Sequence, residues 1–137
     1  MEYKFTITTV PDDKSGYHLP AETEGPLEVW LEGQRFLKVD EALLVEFAIV
    51  LAKWLRVQPN SLYYASMDFE EEPIFALTVE GSDFQPSSVW ASGEATPVPS
   101  ADAVAAARNF IETLGEELNR HGANLDRVID EAVAADS

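Results

Sequence analysis

A chain of 137 residues is the length of one domain, able to bury roughly two-thirds of the surface its unfolded form exposes. With 46% hydrophobic and 10% aromatic residues it has the makings of a packed core rather than of a disordered segment. Against 9 Lys and Arg stand 25 Asp and Glu, a formal net charge of −16 that repels nucleic-acid phosphates and anionic lipid and attracts cationic partners.

The alternation of Tyr3, Phe5, Ile7 and Thr9 with Lys4, Thr6 and Thr8 predicts a half-buried strand over residues 3–10, ending at Pro11. Residues 12–25 carry Asp12-Asp13, Ser15-Gly16, Pro20 and Gly25 and read as a long surface loop. Strands follow over 27–39, at about 27–32 and 35–39, with Gly33 as the first central residue of a type II′ turn. Asp40 is placed to cap a helix over 41–57. Leu43, Leu44, Phe47, Ala48, Val50, Leu51, Trp54 and Leu55 form its broad apolar stripe. Val45 and Ile49 fall outside that stripe, which predicts a second covering layer from the C-terminal helices.

Strands recur over 62–92. Pairing Phe69 with Phe75, Met67 with Leu77 and Ala65 with Val79 puts the more apolar sets on one face. That register leaves Glu70–Ile74 as a loop and turns Leu62, Tyr64, Ser66 and Asp68 to the other face with Ala76 and Thr78. A further strand is expected around 87–92, centred on Val89 and Trp90. Residues 93–99 read as a connection. Helices at 101–121, with Ser100 as N-cap and Gly122 at its end, and at 125–134, capped by Asn124, complete the chain. The expected fold is α+β in a single domain: an antiparallel sheet of about five to six strands packed on a central amphipathic helix, with two C-terminal helices.

Chemistry has few places to reside. The chain has no cysteine, so no disulfide framework, thiolate zinc site or cysteine nucleophile is available. Of the two histidines, His121 sits at a helix C-terminus, where a cation suits the helix dipole, and His18 lies in the long loop beside Tyr17 and Glu22. No serine stands in a Gly-x-Ser-x-Gly elbow, although a triad of dispersed residues is left open. The spacing of acids and histidines matches no zinc or EF-hand pattern, and there is no Gly-rich phosphate loop. The N-terminal MEYKFTITTV has no signal-peptide pattern, and the apolar run Ala42–Leu55 is too short and too charged to span a bilayer, so a cytoplasmic protein without membrane contact is the expectation.

The acids are unevenly spread: between Arg56 and Arg108 there is no Lys or Arg, while Asp68, Glu70, Glu71, Glu72, Glu80, Asp83, Glu94 and Asp102 all fall in that interval. Tyr64, Asp68, Glu70, Glu71, Glu72 and Trp90 are therefore the candidate partner-binding residues, aromatic anchors with an acidic rim suited to a basic protein. The face bearing Tyr64 is either open to such a partner or covered by the C-terminal helices, in which case its aromatics are core. No catalytic residue, metal ligand or cofactor is assigned. A carboxylate-dependent hydrolase using Asp68 or Glu70, and an accessory domain forming homo-oligomers, are the alternatives to a monomeric or homodimeric binding protein.

The succession Leu27-Glu28-Val29, Phe36-Leu37-x-Val39-Asp40, Phe47-Ala48 with Trp54-Leu55, then Ser66-Met67-Asp68-Phe69-Glu70-Glu71-Glu72-Pro73, resembles a family of small bacterial domains of uncharacterised function. Those domains are associated with immunity proteins of polymorphic and contact-dependent toxin systems. The resemblance runs from Tyr3 to Trp90 and carries no catalytic residue. It implies a toxin inhibitor that occludes a basic toxin domain, such as a nuclease with a cationic cleft.

Overall fold

The structure, a computed structural model, describes residues 1–135. Its first strand, β1 (Glu2–Phe5), pairs antiparallel with β2 (Glu24–Leu31), which pairs in turn with β3 (Gln34–Leu43). The β1 ladder is shorter than the alternation over 3–10 predicts. Opposite Thr6 stands Pro26, which has no N–H to return, and the β2–β3 register also shifts between Gly25 and Leu27. The chain touches β2 again at the bridge between Thr9 and Glu24. The expected loop over 12–25 contains a short helix, α1 (His18–Glu22), held by the fully buried Leu19.

The β2–β3 turn is centred one residue earlier than expected. Glu32 and Gly33 both have positive φ, at 48° and 78°, which is the signature of a type I′ turn and matches the twist of the flanking strands. Asp40 does not cap a helix. Gly25 pairs with Ala42 and Glu24 with Leu43, so the ladder holds the backbone that a helix starting at 41 would need. The central helix, α2 (Leu44–Arg56), begins only after that pairing ends. It buries Leu44, Val45, Phe47, Ala48, Leu51, Ala52 and Trp54.

A second antiparallel sheet comprises β4 (Leu62–Tyr64), β5 (Phe75–Glu80), β6 (Asp83–Ser87) and β7 (Val98–Pro99), in that order. Its first register departs from expectation: Leu62 faces Leu77, Tyr63 faces Ala76 and Tyr64 faces Phe75. Leu62 and Tyr64 thus point into the core, and the outward residue is Tyr63. The inner set wins because Tyr64 packs 4.8 Å from the Phe47 ring and its hydroxyl donates to Glu46 at 2.8 Å, a contact that the register through Phe69 forgoes. The strand expected at 87–92 instead lies at β6, where Phe84 meets Trp54 at 5.6 Å; Val89 and Trp90 form a turn beyond it. The Gly93–Pro99 connection ends in β7.

Two helices close the chain, α3 (Ser100–Arg120) and α4 (Leu125–Ala135). Pro99, rather than Ser100, occupies the N-cap position of α3. At its other end Ala123 N–H donates to Leu118 carbonyl at 2.9 Å and Gly122 N–H to Asn119 carbonyl at 3.1 Å, a Schellman closure. Asn124 caps α4 as expected, its Oδ1 accepting the Arg127 amide at 3.1 Å. Both helices pack on α2, as does α1, and Val45 is fully buried. The antiparallel α+β architecture with two C-terminal helices is therefore present, its strands divided between sheets of three and four. No helix among the described residues is long and apolar enough to cross a membrane.

The sheets and helices meet at Tyr3, whose ring stands edge-on to Phe47 of α2 at 5.3 Å, Phe110 of α3 at 5.7 Å and Phe75 of β5 at 6.0 Å. Burial pushes the Tyr3 phenol pKa far up, and burial followed by the nearby Glu46 carboxylate does the same at Tyr64. A raised folded-state pKa leaves stability intact below the unfolded value of about 10 and removes it as pH climbs above that point. Phenolate absorbance should accordingly show Tyr3 and Tyr64 silent until circular dichroism reports unfolding. Ionisation of all four tyrosines with the fold intact would contradict this packing.

Candidate functional site

The segment between β4 and β5 carries Asp68, Glu70, Glu71 and Glu72, all exposed. Its shape follows from contacts at its base. Glu46, the single acid in the apolar run Ala42–Leu55, sits half-buried on α2; one carboxylate oxygen accepts the Tyr64 hydroxyl at 2.8 Å and the other the Met67 amide at 3.3 Å. Ser66 is buried, its hydroxyl accepting the Asp68 amide at 3.3 Å, while its carbonyl accepts the Phe69 amide at 3.3 Å. The loop closes where Ile74 N–H donates to Tyr64 carbonyl at 2.9 Å. Glu72 folds back to accept the Tyr63 hydroxyl at 3.1 Å; desolvation, then this carboxylate, raises the phenol pKa.

Trp90 reaches the loop through a separate anchor. The Val89 amide donates to Pro73 carbonyl at 3.1 Å, and the amides of Ser92 and Gly93 both donate to Phe36 carbonyl on β3, at 2.8 and 3.2 Å. Gly93 is required there, since a Cβ at this position would lie 2.5 Å from the Arg35 carbonyl oxygen. The Trp90 ring consequently stands edge-on to Phe69, 4.8 Å between centroids at 88°. Together these rings form one wall of an open groove of about 620 Å³, completed by Asp68 and by Lys38, Val39, Asp40 and Glu41 of β3. Lys38 lies 3.7 Å from Asp40, an ion pair exposed enough to exchange partners.

Of the sequence-derived candidates, the structure brings Asp68 and Trp90 to one groove and sets Glu70, Glu71 and Glu72 on the adjoining exposed loop. Tyr64 does not belong with them. It is 1% exposed and is a core residue, whereas Tyr63, at 56%, is the aromatic that the outer face presents. Phe69, expected to fix the hairpin register, packs edge-on with Trp90 instead. Glu46, Asp40 and Glu41 have no site role in the sequence pattern, where Asp40 reads only as a helix cap. For Glu46 the available signal was its isolation among apolar neighbours; Asp40 and Glu41 gave none, because the strand that carries them reads as the start of a helix.

Elsewhere, His18 hydrogen-bonds Glu22 at 2.7 Å and lies 3.5 Å from Asp13. The Ser15 hydroxyl donates to Asp13 rather than to His18, so these residues do not form a serine–histidine relay. Among the described residues, no three Asp, Glu or His side chains converge to hold a metal ion. Nor does any Lys or Arg there pair with Asp68, Glu70, Glu71 or Glu72.

Residues 1–120 match a domain family of unknown function, DUF7878, and the chain belongs to that family. The match runs through α3 and stops short of α4. No curated protein and no solved structure matches the chain.

Because Glu46 tethers both β4 and the loop, Glu46→Ala should cost about 1.5–3 kcal/mol in chemical denaturation, the range for losing hydrogen bonds to a charged acceptor. It should also speed hydrogen exchange at the Met67 amide at least several-fold. Unchanged exchange at Met67 would show that the loop is held without this carboxylate.

Proposed function

We propose that this chain is a non-enzymatic binding protein whose acidic loop and aromatic groove dock a basic protein, acting as an immunity-type inhibitor that occludes a cationic toxin domain. The observation that carries this reading is the pairing of exposed, uncompensated carboxylates at Asp68, Glu70 and Glu71 with the Phe69–Trp90 wall beside them. Carboxylates at the rim accelerate encounter with a positive surface, and a half-buried aromatic pair offers the apolar and cation-attracting contact that holds it. A groove this open also supports docking over hydrolysis. Carboxyl groups that serve as general acids are commonly kept protonated by burial, and Asp68 and Glu70 are exposed.

The net charge of −16 adds long-range attraction for the same class of partner and repulsion for nucleic acid, so a nuclease would be met through its protein surface and not through its substrate. The toxin-immunity resemblance supplies the biological setting, a cytoplasmic inhibitor neutralising its cognate toxin.

Replacing Glu70, Glu71 and Glu72 together with Gln tests the docking role. Measured by stopped flow against a basic toxin domain encoded beside this chain's gene, association at low ionic strength should slow about tenfold. The difference should shrink as salt is raised. An on-rate equal to that of the unsubstituted protein would remove the loop from the interface.

A further inference from the structure

β1 is the outer strand of its sheet, paired with β2 on one side only. Thr6 N–H donates to Pro26 carbonyl at 3.3 Å and Thr8 N–H to Glu24 carbonyl at 2.9 Å, so the even-numbered residues direct their backbone groups toward β2. By the alternation of an antiparallel ladder, the amides and carbonyls of Tyr3 and Phe5 face the opposite, open side. A groove of about 470 Å³ follows that edge, with residues 2–7 as one wall and Asn109, Thr113 and Glu117 of α3 on the other. Its long wall is extended backbone, the shape that receives another strand.

We propose that this edge pairs with β1 of a second copy, antiparallel about a twofold axis at Tyr3, joining two three-stranded sheets into one. The sequence of the edge is complementary to itself in that register. Glu2 falls opposite Lys4 of the partner subunit, and Lys4 opposite the partner's Glu2. Both side chains are exposed, and Lys4 is already held over the outer face by its contact with the Trp30 ring, 4.2 Å from the centroid. On the other face the same register sets Phe5 opposite Met1 of the partner subunit, two hydrophobic residues only partly buried against the core of a single chain. Centring the axis on Glu2 or Lys4 would instead oppose like charges and turn the bonded, even-numbered groups to the interface. Centring it on Phe5 would replace the charge pairs by Lys4 against Thr6.

The net charge of −16 opposes any self-association. At about 0.15 M salt the screening length is about 8 Å, so charge spread over the rest of the surface is damped while pairs in contact across the edge are not. The acidic loop Asp68–Glu72 belongs to the other sheet, which leaves the docking reading above independent of this one.

Sedimentation equilibrium and hydrogen exchange on the full chain test the pairing. A reversible dimer is expected, with the Tyr3 and Phe5 amides gaining protection as concentration rises. Glu2→Lys or Lys4→Glu alone should weaken the dimer roughly tenfold, and the double exchange should recover most of that loss, because two cross-strand ion pairs are reversed and then restored. A monomer at the highest concentration, with both amides exchanging as fast as in dilute solution, overturns the proposal and leaves the groove to a strand from another protein. A dimer in which those amides stay unprotected, or whose strength ignores the single substitutions, overturns it as well.

Discussion

The edge-to-face packing of Tyr3 against Phe47, Phe75 and Phe110 is the contact on which the other parts of the molecule depend. Those four rings come from β1, α2, β5 and α3, so a single cluster ties both sheets to the central helix and to the longest one. Each such aromatic pair contributes about 0.5–1.5 kcal/mol beyond its burial. The cluster also carries a cost: the Tyr3 hydroxyl is buried without a hydrogen-bond partner among the described residues. The fold tolerates that loss because the ring supplies contacts in three directions at once.

The same cluster places the candidate site. Phe47 sets the rotation of α2, and the residue before it, Glu46, is thereby turned toward β4, where its two oxygens hold Tyr64 and Met67. The acidic loop springs from that point. On its far side the turn bearing Trp90 hangs from the Phe36 carbonyl, and Phe36 itself packs 6.4 Å from Phe75. Groove and loop are therefore fixed at both ends by residues within a step of the aromatic core. Little ordering therefore remains to be done at this surface on contact, which favours the docking proposed above.

Much of this was legible in the sequence where local patterns decide the outcome. Alternation marks β1 and β2, the turn at Gly33 marks the start of β3, the 3.6-residue stripe marks α2, and Asn124 with Gly122 marks the junction before α4. Where several local patterns compete, distant contacts decided. Leu62–Phe69 is amphipathic in either register, and only Glu46 and Phe47, far away in sequence, choose the one that buries Tyr64. Asp40 is a good cap in isolation, but the backbone of Ala42 and Leu43 is already paired with β2. The site was half visible for the same reason. The acidic run and Trp90 stand out by residue type, whereas Glu41 and Glu46 acquire their roles only through tertiary contacts.

On the docking proposed above, the acidic charge acts at one place, the loop beside the Phe69–Trp90 groove, and not as a diffuse cloud. Titrating the isotopically labelled protein with an arginine-rich peptide, and following amide and indole shifts by NMR, tests this directly. Asp68–Glu72 and the Trp90 indole should move first and saturate together. Equal early shifts across the exposed acids of α3 and α4, such as Glu112, Glu116, Asp126 and Asp130, would contradict it.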